Sequence, residues 1–237
     1  MILTQVLPHL YSIQLGVVRA FLIDTDELTL VDTGMPGSAE KITNAVRELG
    51  RNPSEIRHIL VTHCHPDHVG SLAMLKSLTG ALAYMHPLDA AVVRGETPGD
   101  RMRPAPGIFS WLIMHAFISP PPWHIPPAQV EHEILDGDEL PIAGGIRAVH
   151  APGHTCGHLA FLWHRHGGVL FTGDAAGNMM GLRLSPGYQD LDLGLRSLAK
   201  LSRLRFEVAC FAHGNAIGPG ASQQFRAKWG QPLWRPT

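Results

Sequence analysis

The run His58-Ile59-Leu60-Val61-Thr62 leads without a break into His63-Cys64-His65-Pro66-Asp67-His68. A short, largely apolar segment rich in β-branched residues reads as a buried strand. Behind it, Val69, Leu72, Leu75 and Leu78 recur at helical spacing and stop at Gly80, so a helix follows. The histidine-rich segment therefore sits where a strand ends and a helix begins, the place where α/β proteins put their sites. Alternate residues of an extended segment point the same way. His63 and His65 can thus face one ion while Cys64 turns aside, and Asp67 and His68 open the helix toward a second position. Three imidazoles and a carboxylate form a mixed N/O donor set that suits Zn²⁺, and also Fe, Mn, Co or Ni.

The same pattern of strands ending in polar loops extends outward. Upstream, Ala20–Asp24 and Leu28–Asp32 read as a hairpin turning at Thr25–Glu27, and Ile42, Ala45, Val46 and Leu49 mark an amphipathic helix stopped by Gly50. Downstream, strands are predicted at Val130–Leu135, Gly145–His150, Leu159–His164, Val169–Thr172 and Glu207–Phe211. Helices are predicted from Asp190, with Leu191, Leu195 and Leu198 on one face, and over Gly220–Gly230. This makes two β-rich halves, each with a strand running into an acidic residue: Asp32 in Leu30-Val31-Asp32-Thr33-Gly34 and Asp174 in Thr172-Gly173-Asp174. His154, in Pro152-Gly153-His154-Thr155, and His213, in Ala212-His213-Gly214, also follow strands. A carboxylate such as Asp174 has two oxygens and can reach two cations at once.

Composition narrows the function classes. The 237 residues carry 19 Lys+Arg against 20 Asp+Glu, a net charge of −1. No cationic excess is present to neutralise phosphates, which argues against a nucleic-acid binder. Histidine is over-represented at 15 copies, whereas the three cysteines, Cys64, Cys156 and Cys210, are too few and odd in number for a disulfide framework. The twelve-residue apolar stretch Gly107–Ile118 falls short of the ~20 residues a membrane span needs. No basic, apolar leader is visible at the N-terminus, so the expected location is the cytoplasm, in one domain over residues 1–237.

Residues 95–129 differ from the rest. Eight of the 19 prolines fall there and bracket the apolar segment Ile108–Ile118. Proline confines regular structure to a short central helix. The segment reads as an insertion whose large apolar groups, Ile108, Phe109, Trp111, Leu112, Ile113, Phe117, Ile118 and Trp123, need a partner. One reading is a lid that shapes an acyl-accepting pocket. The other is a contact surface, such as a homodimer through residues 107–118, or simple core packing.

Taken together, His-x-His-x-Asp-His, Gly-His-Thr, Gly-Asp and His-Gly, with Leu-Val-Asp32-Thr-Gly ahead of them, resemble the motif series of the metallo-β-lactamase superfamily from Asp32 to His213. The resemblance implies an α/β (α+β) fold, a four-layer αββα sandwich with its site at one edge. It implies two divalent metal ions, zinc first with iron or manganese as alternatives. His63, His65 and His154 would hold one ion, Asp67, His68 and His213 the other, and Asp174 would bridge them. Asp32 would brace the ligand loop, His158 would be structural or support a ligand from behind rather than bind metal, and Cys64 and Cys156 read as small buried apolar groups. Asp67 would orient a metal-bridging hydroxide or shuttle its proton. The implied activity is a hydrolase of a carbonyl ester, lactone or thioester acting on a small molecule with an apolar acyl part. Asp174 at the bridging position argues against β-lactam hydrolysis as the main reaction. The alternatives are a mononuclear-iron sulfur dioxygenase, a phosphodiesterase of the same superfamily, and a metal-stabilised binding protein without turnover.

Overall fold

A computed structural model describes residues 2–115 and 125–231. The chain opens with two antiparallel strands, β1 (Leu3–Leu7) and β2 (Leu10–Gln14), then the hairpin β3 (Arg19–Asp24) and β4 (Leu28–Val31). Helix α1 (Ala39–Glu48) leads to β5 (Ile56–Leu60), which runs parallel to β4 with Leu30 opposite Ile59. The histidine segment follows β5. It enters a single turn, α2 (Pro66–Val69), and then α3 (Leu72–Thr79), which ends at left-handed Gly80. Strand β6 (Leu82–Met85) and helix α4 (Pro87–Val93) complete the first layers.

Within the proline-rich stretch lie the two-residue strand β7 (Arg103–Pro104) and the helix α5 (Ile108–Ile113). Beyond it, β8 (His132–Glu133) pairs with β6, giving a seven-stranded sheet in the order β1-β2-β3-β4-β5-β6-β8. The second sheet uses β9 (Glu139–Leu140), β10 (Ile146–His150), β11 (Leu159–Trp163) and β12 (Val169–Phe171). Two small arms, β13 (Ala176–Gly177) with β14 (Arg183–Leu184), and β15 (Gly187–Tyr188) with β7, precede α6 (Leu191–Leu201). Asp190 caps α6 by accepting from the Leu193 N–H at 2.9 Å. Strand β16 (Val208–Cys210) then joins β12 in parallel, and α7 (Ala221–Trp229) closes the described chain.

Why four layers form is visible in the alternation along each strand. Phe21, Ile23, Val31 and Leu60 of the first sheet meet Phe161, Trp163 and Phe171 of the second in one buried cluster. Their neighbours Leu22, Leu30 and Ile59 point the other way, onto Ile42, Val46, Leu72 and Leu75 of α1 and α3. On the far side, Ala160, Leu162 and Leu170 pack on Leu198, Leu201 and Phe225 of α6 and α7. Both faces of both sheets are therefore covered, which explains why the strands read as continuous apolar runs. This is the αββα sandwich the motif series implied.

The sequence reading missed β1 and β2 and the pairing of β7 with β15. It placed a strand over 130–135 where only His132–Glu133 pairs. Residues 116–124, about a quarter of the 95–129 insertion and including Phe117, Ile118 and Trp123, lie outside the described residues. No helix among the described residues is long and apolar enough to cross a membrane.

Candidate metal centre

All five polar loops leave the same edge of the sandwich, where β4, β5, β10, β12 and β16 end. Two backbone bonds join its parts there: Leu159 N–H to the Thr62 carbonyl at 2.8 Å and Arg19 N–H to the Ala212 carbonyl at 2.9 Å. The seven side chains named from sequence converge at this edge. Three sets have nitrogen and oxygen atoms all within 4.8 Å of one another: His63, His65 and His154; His63, His68 and Asp174; and Asp67, His68 and His213. His63, His68, His154 and Asp174 are buried, whereas His65, Asp67 and His213 are only partly covered and form the open side.

The imidazoles are aimed by partners on their Nδ1 atoms. His68 Nδ1 lies 2.9 Å from Asp32 Oδ2, and His63 Nδ1 lies 3.0 Å from Thr62 Oγ1. His154 Nδ1 bonds the Gly187 carbonyl at 2.8 Å and His213 Nδ1 the Val17 carbonyl at 3.0 Å. Each bond fixes the ring and leaves Nε2 facing the centre, the usual support for a metal-ligating histidine. His65 presents its other nitrogen: Nδ1 sits 3.0 Å from His154 Nε2. Asp32 fulfils its expected bracing role. Its backbone is left-handed (φ 61°), and its carboxylate also accepts from the Thr62 N–H at 2.8 Å. A non-glycine residue in that region is strained, and such strain gathers at functional sites.

Asp174 occupies the middle. Its oxygens lie 3.6 Å from His68 Nε2, 3.5 Å from His154 Nε2 and 3.4 Å from His213 Nε2. Across the outer set, His213 Nε2 is 3.1 Å and His68 Nε2 3.7 Å from Asp67 Oδ2. Ligand atoms held tetrahedrally at ~2.0–2.2 Å from one ion stand ~3.3–3.6 Å apart, and the separations of 3.0 to 3.7 Å bracket that range, so a shift of a few tenths of an ångström would seat a divalent cation in either set. Among the described residues, the buried His63 Nε2, His68 Nε2 and Asp174 Oδ1 have no hydrogen-bond partner. Buried polar atoms are rarely left so, and three converging on one point mark a place for a cation.

Charge divides the centre. Burial pushes the His65 imidazole down to about 4 and holds His63 and His154 well below the ordinary histidine range, reinforced by neighbouring imidazoles. At the other set burial opposes the charge and loses. Asp67, Asp32 and Asp174 raise His68 to about 10, and Asp174 and Asp67 raise His213 to about 9. Burial would lift Asp67 too, but His68 and His213 hold its carboxyl far below the usual range. Asp174 is pushed up by burial, against the pull of His213 and His68.

Other readings divide. His158 is structural as expected: it is fully buried, and its Nε2 accepts from the Asp174 N–H at 3.0 Å. Cys64 is buried, but Cys156 is exposed, not the small buried group the sequence suggested. The chain turns it outward because its own N–H is tied to Gln189 Oε1 at 2.8 Å. The carbonyls of Val17 and Gly187 and the carboxylate of Asp89 were not found from sequence. Backbone acceptors carry no residue signature, and the sequence reading assigned no element to the stretch that holds Asp89, which the structure places in α4.

The chain belongs to the metallo-beta-lactamase superfamily, whose family description matches residues 13–213. The uncharacterised protein YobT of Bacillus subtilis (strain 168) is 34% identical over 160 residues, 67% of this chain and 61% of that protein. The thioesterase pkgB of Emericella nidulans is 28% identical over 209 residues, 87% of this chain and 48% of that protein. The chain thus spans about half to three-fifths of the length of these curated relatives. Among solved structures, the Rm3 metallo-beta-lactamase aligns with a TM-score of 0.74 at 21% identity, covering 97% of this chain and 91% of that one. At that identity the likeness is one of fold.

Proposed function

We propose that this chain is a binuclear metal-dependent hydrolase, cleaving a carbonyl ester, lactone or thioester whose acyl part is apolar. The observation that carries the reading is the position of Asp174, within 3.6 Å of ligand nitrogens from both sets. His63, His65 and His154 would hold one ion, and Asp67, His68 and His213 the other, with zinc the first choice for a mixed imidazole and carboxylate set. A pair of bound ions supplies a water ionised near pH ~7 and a Lewis acid for the substrate oxygen. The chain's own groups do the rest. Asp67, held as a carboxylate on the open side, is able to take a proton from the water and pass it to the leaving group. The buried histidines exclude solvent behind the ions. Asp32 and the Gly187 and Val17 carbonyls keep the rings aimed.

An apolar acyl group is supported by the rim. Met179 and Met180 stand exposed beside Asn178, whose N–H bonds the His213 carbonyl at 2.8 Å. Helix α5 exposes Ile108 (72%), Trp111 (47%) and Leu112 (52%). It is tied to the same arm by the Arg183 guanidinium, 4.5 Å over the Phe109 ring. Apolar groups this exposed on two arms beside the open side suit a hydrophobic ligand, and the name of pkgB adds weight to a thioester. The test is metal analysis joined to a panel of acyl esters and thioesters of graded length, lactones, phosphodiesters and β-lactams. Two divalent ions per chain, with turnover of carbonyl substrates that improves with acyl length, is the expected result. Turnover of phosphodiesters alone, or one iron with oxygen uptake, would contradict it.

A further inference from the structure

Asp89 lies outside the seven-residue centre, yet its buried carboxylate spans the two loops that carry the first set of histidines. It is the third residue of α4, behind the cap His86 and Pro87. An acidic residue there ordinarily serves its own helix start. Asp89 turns away instead. Its Oδ2 accepts from the Cys64 N–H at 3.0 Å and from the Thr155 hydroxyl at 2.7 Å, and its Oδ1 accepts from the Gly157 N–H at 2.8 Å. Cys64 lies between His63 and His65, and Thr155 and Gly157 lie between His154 and His158. One carboxylate thus joins segments some ninety residues apart in sequence. A second feature agrees. A Cβ on Gly157 would collide with Asp89 Oδ1 and with its backbone nitrogen, so glycine at 157 is what lets the carboxylate reach both loops. Among the described residues, no carboxylate outside the seven joins the two loops of the second set. Its loops are held by Asp32, by the Val17 carbonyl and by Arg19, which donates to the Gly214 carbonyl.

We propose that Asp89 is a positioning residue that sets the gap between His65 and His154, and so the affinity of the first metal set but not of the second. The two histidine nitrogens stand 3.0 Å apart in the clamped arrangement. Replacing Asp89 by Asn keeps the shape but leaves one acceptor oxygen where two served three donors, so its NH2 group faces the Gly157 N–H or the Cys64 N–H and that side of the clamp opens. Partners that orient ligands without touching the metal are worth about 10- to 100-fold in affinity.

This inference rests on the binuclear reading, and the experiment separates the two. Zinc affinity is measured by competition with a chromophoric chelator on the full chain, in a His213→Ala background that leaves the first set and a His154→Ala background that leaves the second. Asp89→Asn should weaken zinc about 10- to 100-fold in the first background and by less than about threefold in the second. Thr155→Val, which removes a single donor, should give a smaller loss confined to the first set, and Thr155→Ser should restore it. The Thr155 variants decide the matter if Asp89→Asn does not fold. Unchanged zinc affinity, or equal weakening of both sets, would mean that Asp89 only supports the fold. A His213→Ala protein that takes up no zinc at all would overturn the binuclear reading, and the clamp with it.

Discussion

The two halves of the centre face each other across Asp174 and are built from opposite chemistry. His63, His65 and His154 are three imidazoles held neutral by burial, ready to donate without losing a proton. Asp67, His68 and His213 mix a carboxylate with two imidazoles whose acidic neighbours raise them to about 10 and about 9. At neutral pH those two rings hold protons that an incoming cation must displace. The first set competes with almost nothing, the second with protons, so the two should differ in pH response although they share one fold edge.

The comparison can be broken at its middle. Asp174→Ala should lower turnover by about a thousandfold or more, because the shared water loses its second ion, and metal analysis should find fewer than two ions per chain. Retained turnover would separate the two sets. Acid should act next. Between pH 8 and pH 6, affinity at the second set should fall by up to about a hundredfold per pH unit, the limit for two displaced protons. The first set should hold until pH approaches 5, since its rings are neutral above that range. Zinc titrations in the two single-set backgrounds at each pH check this sign. Asp32→Asn, which loosens His68 directly and His63 only through Thr62, should weaken the second set about 10- to 100-fold and the first by less.

Changes away from the edge sharpen the contrast by leaving it intact. Phe161→Ala, between the sheets, should cost about 3–5 kcal/mol of stability by thermal or denaturant unfolding, with zinc affinity of the folded protein unchanged at both sets. Smallest is Trp111→Ala on α5. It should raise KM for long-acyl substrates several-fold, from loss of ~1–2 kcal/mol of apolar contact, and leave short-acyl substrates alone. Equal effects on both chain lengths would remove the acyl role from the rim.

Much of this edge was legible because its signals are local. Period-two spacing puts His63 and His65 on one side of an extended segment, whereas Asp32, His154, Asp174 and His213 stand at ordinary strand ends and were marked as site residues by the resemblance to the family's motif series. Buried strands such as Leu28–Val31 and Leu159–Trp163 read as apolar runs because both of their faces are covered. Strand β1 was missed because it is half exposed, carrying Thr4 and Gln5 on a solvated edge, and β2, although largely buried, because Tyr11, Ser12 and Gln14 break its apolar run. The pairing of β7 with β15 rests on two residues each and exists only in the folded chain. Asp89 is the sharpest case. The sequence reading left its stretch unassigned, and nothing local says that its carboxylate reaches Cys64, Thr155 and Gly157.

The most direct test is a crystal of the zinc-loaded protein measured at the zinc absorption edge. Two anomalous peaks ~3.5–4 Å apart are expected, one among His63, His65 and His154, the other among Asp67, His68 and His213, each in reach of Asp174. A single peak, or zinc bound away from these seven side chains, would contradict the account.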